Sequence, residues 1–295
     1  MISIIICSRT KTISPDLSEN IQNTIGCEYE LIIIDNSENK YSIYEAYNLG
    51  IERSTNDYLC FIHDDILFHT EGWGNKVKDI FRDDRKIGLI GVAGSKIKTK
   101  MPSAWWDCLG SQMAISIIQH SKIEGKEIEK IEFGFDGDIK DVEVVFIDGV
   151  FMAMRKDKQI RFNNIMTGFH NYDLNISIEY KKLGYKVVVT NRILLEHYSI
   201  GIIDKEWVIS AFEIYNIYKK SLPLKVLSSF LTTGMEFDNG KKFITKCLEF
   251  KNYRTACFVW WKLFCLHPIS KYHIKFWKVI FTEQLRNQKY NLFSK

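Results

Sequence analysis

The stretch Asp57-Tyr-Leu-Cys-Phe-Ile-His-Asp-Asp65 reads as a short buried strand that runs into two adjacent carboxylates. Its apolar centre is continuous and does not alternate with polar residues, which is the pattern of a strand covered on both faces. Side-by-side aspartates repel one another and are tolerated best where solvent or a divalent cation screens them. The carboxyl end of a strand in an open α/β sheet is also where such folds place their ligands.

Three further Ile-rich runs of the same kind lie at 2–7, 30–34 and 87–92, separated by segments of helical length at 15–25, 42–53 and 72–81. Pro15 suits a first helical turn and Ser14 its cap. This β-α-β-α-β-α-β order predicts an α/β fold with a mostly parallel central sheet, flanking helices and right-handed crossovers. From 94 to 141 the rhythm breaks. Trp105-Trp106, several glycines and the turn Asp136-Gly-Asp138 predict an insertion with a hairpin. Strands are expected again at 143–147, 150–154 and 186–189. A helix at 173–183 is closed by Lys181, Lys182 and Gly184, and 192–197 leads out of the sheet. Beyond Asp204 the pattern turns helical, at 206–220, 225–235, 240–250, 253–266 and 271–285. The expected organisation is one α/β domain over 1–203 and a helical C-terminal appendage over 204–295.

The bulk numbers exclude several classes. With 295 residues and 46% apolar side chains the chain can bury a sizeable core, and 40 Lys+Arg against 36 Asp+Glu give a net charge of +4. That balance is too weak for a dedicated nucleic-acid binder, and no basic arm or recognition motif appears. The seven cysteines form no CxxC pair, so neither a zinc ribbon nor a disulfide framework is indicated. They read as buried thiols of a reducing compartment. The first residues read as a strand and not as a signal peptide. With no run of 18 apolar residues, a cytoplasmic protein is expected, with peripheral contact at the inner face of a membrane. No G-x-G-x-x-G follows the first strand and no P-loop motif occurs, which disfavours dinucleotide and P-loop enzymes.

In a parallel sheet the ends of the first three strands share one rim, so Ser8-Arg9-Thr10, Asp35-Asn-Ser37 and Asp64-Asp65 converge there. Asp35 is suited to accept hydrogen bonds from a base edge or a ribose, and Asp65 with Asp64 beside it to hold a hard cation. A nucleotide diphosphate–metal complex fits such a rim. Farther along stand Ala46-Tyr-Asn48-Leu-Gly50, Asp148-Gly149-Val-Phe-Met152, Asn171-Tyr-Asp173-Leu, Lys182-Leu-Gly184-Tyr185 and Glu196-His197.

Taken in their order and spacing, these pieces resemble the inverting, family-two-like glycosyltransferases with an A-type nucleotide-diphospho-sugar transferase fold. The resemblance covers roughly the first two hundred residues. It implies a metal-dependent transfer of a sugar from a nucleoside-diphosphate sugar, UDP-linked, to a hydroxyl of a saccharide or lipid-linked acceptor, in surface polysaccharide or glycoconjugate synthesis. Donor binding falls to Ser8, Arg9, Asp35, Asn48, Asp64, Asp148 and Gly149, with Asp35 on the nucleobase. Asp65 holds Mn2+ or Mg2+, His197 completes the shell, and Asp173 is the general base. Two positions depart from the pattern: His63 stands where the metal motif usually begins with Asp, and Tyr172 replaces an acidic neighbour of Asp173. Strand alternation is expected to turn His63 to the side opposite Asp64 and away from the metal.

These residues also have purely structural uses: Asp64-Asp65 as a solvated turn, Asp35 as an Asx turn and Asp173 as a helix cap. The competing functions are a nucleotidyltransferase of similar fold and a degenerate transferase fold serving as an adaptor. The helices after Asp204 are expected to stay out of the transfer site, with Trp260-Trp261 near Arg254, Lys262 and Lys271 facing either a core or a membrane.

Overall fold

The computed structural model describes residues 1–121 and 127–293. Strands β1 (Ile2–Ser8), β2 (Tyr29–Asp35) and β3 (Tyr58–Ile62) are joined by helices α1 (Pro15–Thr24) and α2 (Ile43–Arg53). After β4 (Ile66–Phe68) and α3 (Trp73–Asp83) come β5 (Ile87–Gly91), β6 (Ala93–Ser95), β7 (Ile97–Lys98) and β8 (Met113–His120). There follow β9 (Ile128–Phe133), β10 (Asp141–Val144), β11 (Phe146–Ile147) and β12 (Phe151–Arg155), then α4 (Tyr172–Lys182), β13 (Lys186–Thr190) and β14 (Leu195–His197). The last part holds α5 (Lys205–Tyr218), β15 (Leu224–Lys225), α6 (Thr233–Glu249), α7 (Tyr253–Leu266) and α8 (Lys271–Phe293).

The central sheet has the order β10-β13-β5-β12-β3-β1-β2. β1, β2, β3, β5 and β13 run one way; β10 and β12 run against them. Its two faces explain the continuous apolar runs. Ile2, Ile4 and Ile6 of β1 pack under α1 and α3, whereas Ile5 packs on the opposite side with Tyr44 and Tyr47 of α2. Ser14 caps α1 through the Leu17 amide, with Pro15 in the first turn, and Ser42 with Glu45 forms a capping box on α2.

A second sheet, β11-β6-β8-β14-β4 with β9 beside β8, takes β6, β8 and β9 from the region expected to be an insertion with a hairpin and β4, β11 and β14 from elsewhere in the chain. The hairpin is β8–β9, and the turn between its strands lies outside the described residues. This sheet positions the site. β14 pairs antiparallel with β4, His197 opposite Ile66, and parallel with β8, His197 opposite Gln119. Residue 197 is thereby brought to the end of β3.

The helical region differs from expectation at 225–235. Leu224 and Lys225 pair with Lys98 and Ile97 as a two-stranded ribbon, and α6 starts only where Thr232 caps it. α6 then runs through Gly240 without a break. A Cβ there would come within 2.5 Å of a Leu263 methyl, so the glycine marks the closest approach of α6 and α7. These two helices, α8 and the start of α5 share an apolar cluster with Met101. The rest of α5 joins the core of the main sheet through Ile214 and Tyr218. Among the described residues, no helix is long and apolar enough to cross a membrane.

Candidate functional site

Three ligand-type side chains meet where β3, β4 and β14 come together. His63 Nδ1 lies 3.4 Å from His197 Nε2 and 3.8 Å from Asp65 Oδ1, and His197 Nε2 lies 3.7 Å from the same oxygen. A cation with bonds of about 2.1 Å puts adjacent ligands about 3 Å apart. The triangle therefore fits a divalent ion after a contraction of less than about 1 Å. His197 is buried, and its Nδ1–H donates to Gln119 Oε1 at 3.0 Å, which leaves Nε2 unprotonated and facing the cluster. Burial first, and then the neighbouring His63, hold the His197 pKa below its ordinary value against the pull of Asp65. A neutral imidazole is the form that binds metal.

His63 is a correction to the sequence reading. Alternation does turn it away from Asp64, and by the same count it puts residues 63 and 65 on one side. The odd-numbered pair faces His197. Asp64 points the other way, toward Arg9, which donates to its Oδ1 at 2.7 Å and also reaches Asp65 Oδ2 at 3.6 Å. Burial raises the Asp64 pKa, but the hydrogen bonds from the Arg9 side chain and backbone outweigh it and the net shift is downward.

Arg9 and Asp64 belong to a cavity of about 380 Å³, lined also by Cys7, Ser8, Asn36 and Tyr47. Ser8 is fully buried; its hydroxyl accepts from the Thr10 amide and fixes the turn that carries Arg9. Asp35 stands exposed at the rim. Its Oδ1 accepts from the Ser37 amide and hydroxyl, bonds that lower its pKa and leave Oδ2 to solvent. Asn48 does not fit the donor-binding role expected of it. Its amide nitrogen donates to the Phe162 carbonyl and its oxygen accepts from the Phe162 amide, so both ends are used in clamping that loop onto α2.

The second cavity, about 500 Å³, lies on the other side of the cluster and shares His63, Phe169 and Tyr172 with the first. Asp148, Gly149 and Asp173 line it. Asp148 sits just before β12; its Oδ2 accepts from Trp105 Nε1–H at 2.7 Å and its Oδ1 from the Val150 amide. It thus ties the wall at Trp105 to the sheet. Asp173 is in the first turn of α4, but the cap position is Asn171, in the left-handed region at φ 61°. Burial, and then the charge of Asp148, push the Asp173 pKa up to about 7, against hydrogen bonds from backbone amides including that of Leu174. A carboxylate poised there is matched to proton transfer near neutral pH.

Tyr172, one of the two departures noted in the sequence, meets the other. Its hydroxyl is 2.7 Å from His63 Nε2. Its ring lies on Gly149, where a Cβ would approach the phenol oxygen to 2.3 Å. Trp207 of α5 was missed altogether: it lines the 500 Å³ cavity, as do Gly201, Ile202 and Ile203. The helical region therefore does reach this cavity, by one helix. The adjacent tryptophans farther on separate, Trp260 stacking on Phe276 inside the helical cluster and Trp261 lying 53% exposed.

A family model described as "Glycosyltransferase like family" matches residues 3–224. No curated protein matches. Among solved structures, the chain is similar to A197 from STIV at 15% identity and a TM-score of 0.38, over 69% of this chain and 86% of that one. It is also similar to GalNAc-T7, solved with UDP, GalNAc and Mn2+, at 8% identity and a TM-score of 0.45. That match covers 67% of this chain and 43% of the GalNAc-T7 chain, so this chain spans less than half of that relative's length.

Proposed function

This chain belongs to the glycosyltransferase-like family, and from that premise we propose that it is an inverting, metal-dependent transferase that moves a sugar from a UDP-linked donor to a hydroxyl acceptor. The supporting observation is the arrangement of His63, Asp65 and His197 between two cavities, one with Arg9 and the other with Asp173. A divalent cation held by His63, Asp65 and His197 would supply positive charge to the diphosphate leaving group. Two imidazoles with one carboxylate suit Mn2+ better than Mg2+.

The chain's own residues supply the rest. The nucleotide diphosphate lies in the smaller cavity against Ser8, Arg9 and Asp64, with Asp35 at its rim for the base or ribose. Arg9 exchanges its bond to Asp64 for the phosphates, a guanidinium being suited to paired oxygens. The donor sugar crosses to Asp148-Gly149. Asp173 takes the proton from the acceptor hydroxyl on the far face of the sugar, a single displacement that inverts the anomeric centre. The helices after residue 203 back this unit as an appendage and add Trp207 to its wall. Synthesis of a surface polysaccharide or glycoconjugate in the cytoplasm is the setting this reading fits.

Calorimetry with UDP tests it. Binding is expected with Mn2+ present, to weaken at least about tenfold with chelator, and to show the same loss in Asp65→Ala with Mn2+ present. Equal affinity with and without the ion would remove Asp65 from any metal role.

A surface of the appendage fits peripheral contact with a membrane. On α7, Phe258 and Trp261 are exposed with Lys262 over the Phe258 ring, and on α8 Ile274 is exposed with Lys271 and Lys275, an aromatic–basic composition that suits an interface. Flotation with anionic liposomes is expected at low salt and to be lost as salt screens the lysines. Absence of flotation at low salt would leave this face without a membrane role.

A further inference from the structure

The larger cavity differs in chemistry from the smaller one. Arg9 lines the smaller cavity, but among the described residues neither Lys nor Arg lines the larger. Of its histidines outside the ligand cluster, His170 is taken up by Asp204 at 3.1 Å. Two carboxylates, Asp148 and Asp173, border it. An anionic group seated in the outer part of this cavity, away from the cation site at His63, Asp65 and His197, would meet Asp148 and Asp173 with no Lys or Arg of the described residues beside it.

Its polar wall residues are also already engaged with the protein. Gln119 bonds His197 and the Ser199 carbonyl, the Ser103 hydroxyl accepts from Lys98, Asn171 donates to Ser210, and Trp105 donates to Asp148. Beyond the seat at Asp148-Gly149 given to the donor sugar, a site built to read several acceptor hydroxyls needs free donors and acceptors. This wall offers mainly apolar surface, Ile115 and Ile117 within and Trp207 to one side. The apolar surface continues outward at the mouth, where Trp106 is 43%, Phe169 47% and Ile202 71% exposed. Exposed apolar side chains that line one cavity suit an apolar group of a ligand.

Resting on the transferase reading above, we propose that the acceptor is a neutral hydroxyl compound that carries an apolar aryl or alkyl group next to the reacting hydroxyl. That group lies on Trp106, Phe169 and Ile202, and the hydroxyl points at Asp173. Sugar phosphates and uronic acids are not expected to seat their charge on this apolar mouth.

Calorimetric titrations of the full chain with phenyl β-D-glucoside, methyl β-D-glucoside and glucose 6-phosphate test this, each with and without UDP and Mn2+. The phenyl compound is expected to bind at least about tenfold tighter than the methyl one, since each buried methylene-sized group contributes roughly fourfold. Glucose 6-phosphate is expected not to bind. Trp106→Ala, at a position 43% exposed, should bring the phenyl compound down to the methyl level, and Ile202→Ala should reduce the difference in part. Equal binding of the two glucosides, no binding of the phenyl compound, tighter binding of glucose 6-phosphate, or a phenyl preference unchanged in Trp106→Ala would each overturn the proposal. Loss of UDP binding with the phenyl preference intact would instead count against the donor reading and leave the apolar acceptor wall standing.

Discussion

Asp173→Asn is expected to bind UDP with Mn2+ as the parent does and to lose transfer by at least about 100-fold. The donor contacts assigned above do not include this side chain, so the loss should appear in kcat. The parent's rate should rise with pH to a plateau with a midpoint near 7, because Asp173 must be ionised to accept a proton and its pKa is pushed up to about 7. The same shift predicts an opposite effect on stability. Asp173 has an ordinary value of 3.8, and the fold disfavours its charged form. The penalty is absent below about pH 4, grows as pH rises toward 7 and is constant above that. Asparagine carries no such charge and still accepts from the Leu174 amide. Asp173→Asn should therefore be more stable than the parent at pH 8, by on the order of a few kcal/mol at most, and no more stable at pH 4. Thermal denaturation at the two pH values checks this alongside the rate. A variant that turns over normally, or that is destabilised at pH 8, would make Asp173 an ordinary first-turn residue of α4.

The strands and crossovers of the central sheet were legible because their signal is local. Ile2, Ile4, Ile5 and Ile6 can only be buried together in a sheet covered on both faces, and Ser14-Pro15 and Ser42 mark the helix starts in the chain itself. The second sheet was not legible. β6, β11, β4 and β14 are two or three residues long, and their pairing depends on partners far apart in sequence. The helix expected to begin at Gly240 begins at Thr233, and contact with Leu263 makes a glycine necessary in its middle. At the site, Asp65 and His197 were placed together from sequence, but His63 was counted from the wrong aspartate. Measured from Asp64 it points away; measured from Asp65 it is on the same side. Asn48 shows the converse limit. A motif position on a helix does not reveal that the amide is taken up by Phe162, 114 residues away. Trp207 carried no signal, because only the packing of α5 against the main core brings it to the cavity.

Tyr172→Phe is expected to weaken Mn2+ binding by about 10–100-fold, the usual cost of removing a residue that orients a metal-bound histidine. If His63 is to present Nδ1 to a cation, its proton must sit on Nε2, and that nitrogen needs an acceptor. The phenol oxygen of Tyr172 is 2.7 Å away and provides it. Burial holds the Tyr172 pKa well above its ordinary value, so the phenol stays neutral across the working range. Without the hydroxyl, either ring nitrogen can carry the proton and the imidazole is free to turn. The ring itself should stay in place, since its edge contact with Tyr47 and its seat on Gly149 do not involve the oxygen's hydrogen bond. Stability should accordingly fall by no more than about 1–2 kcal/mol, the range for one lost hydrogen bond. Gly149→Ala reaches the same bond by another route: the added methyl meets the phenol and must push it from His63, so Mn2+ affinity should fall while the hydroxyl is still present. Calorimetric titration of Mn2+ into the parent and the two variants decides the matter without any substrate. Parent-like affinity in Tyr172→Phe would mean that His63 is oriented by Asp65 and His197 alone, and that the contact between residues 63 and 172 is packing. A loss shared by both variants would make Tyr172 the positioning residue for the third ligand, and would join the two departures at 63 and 172 in a single physical change.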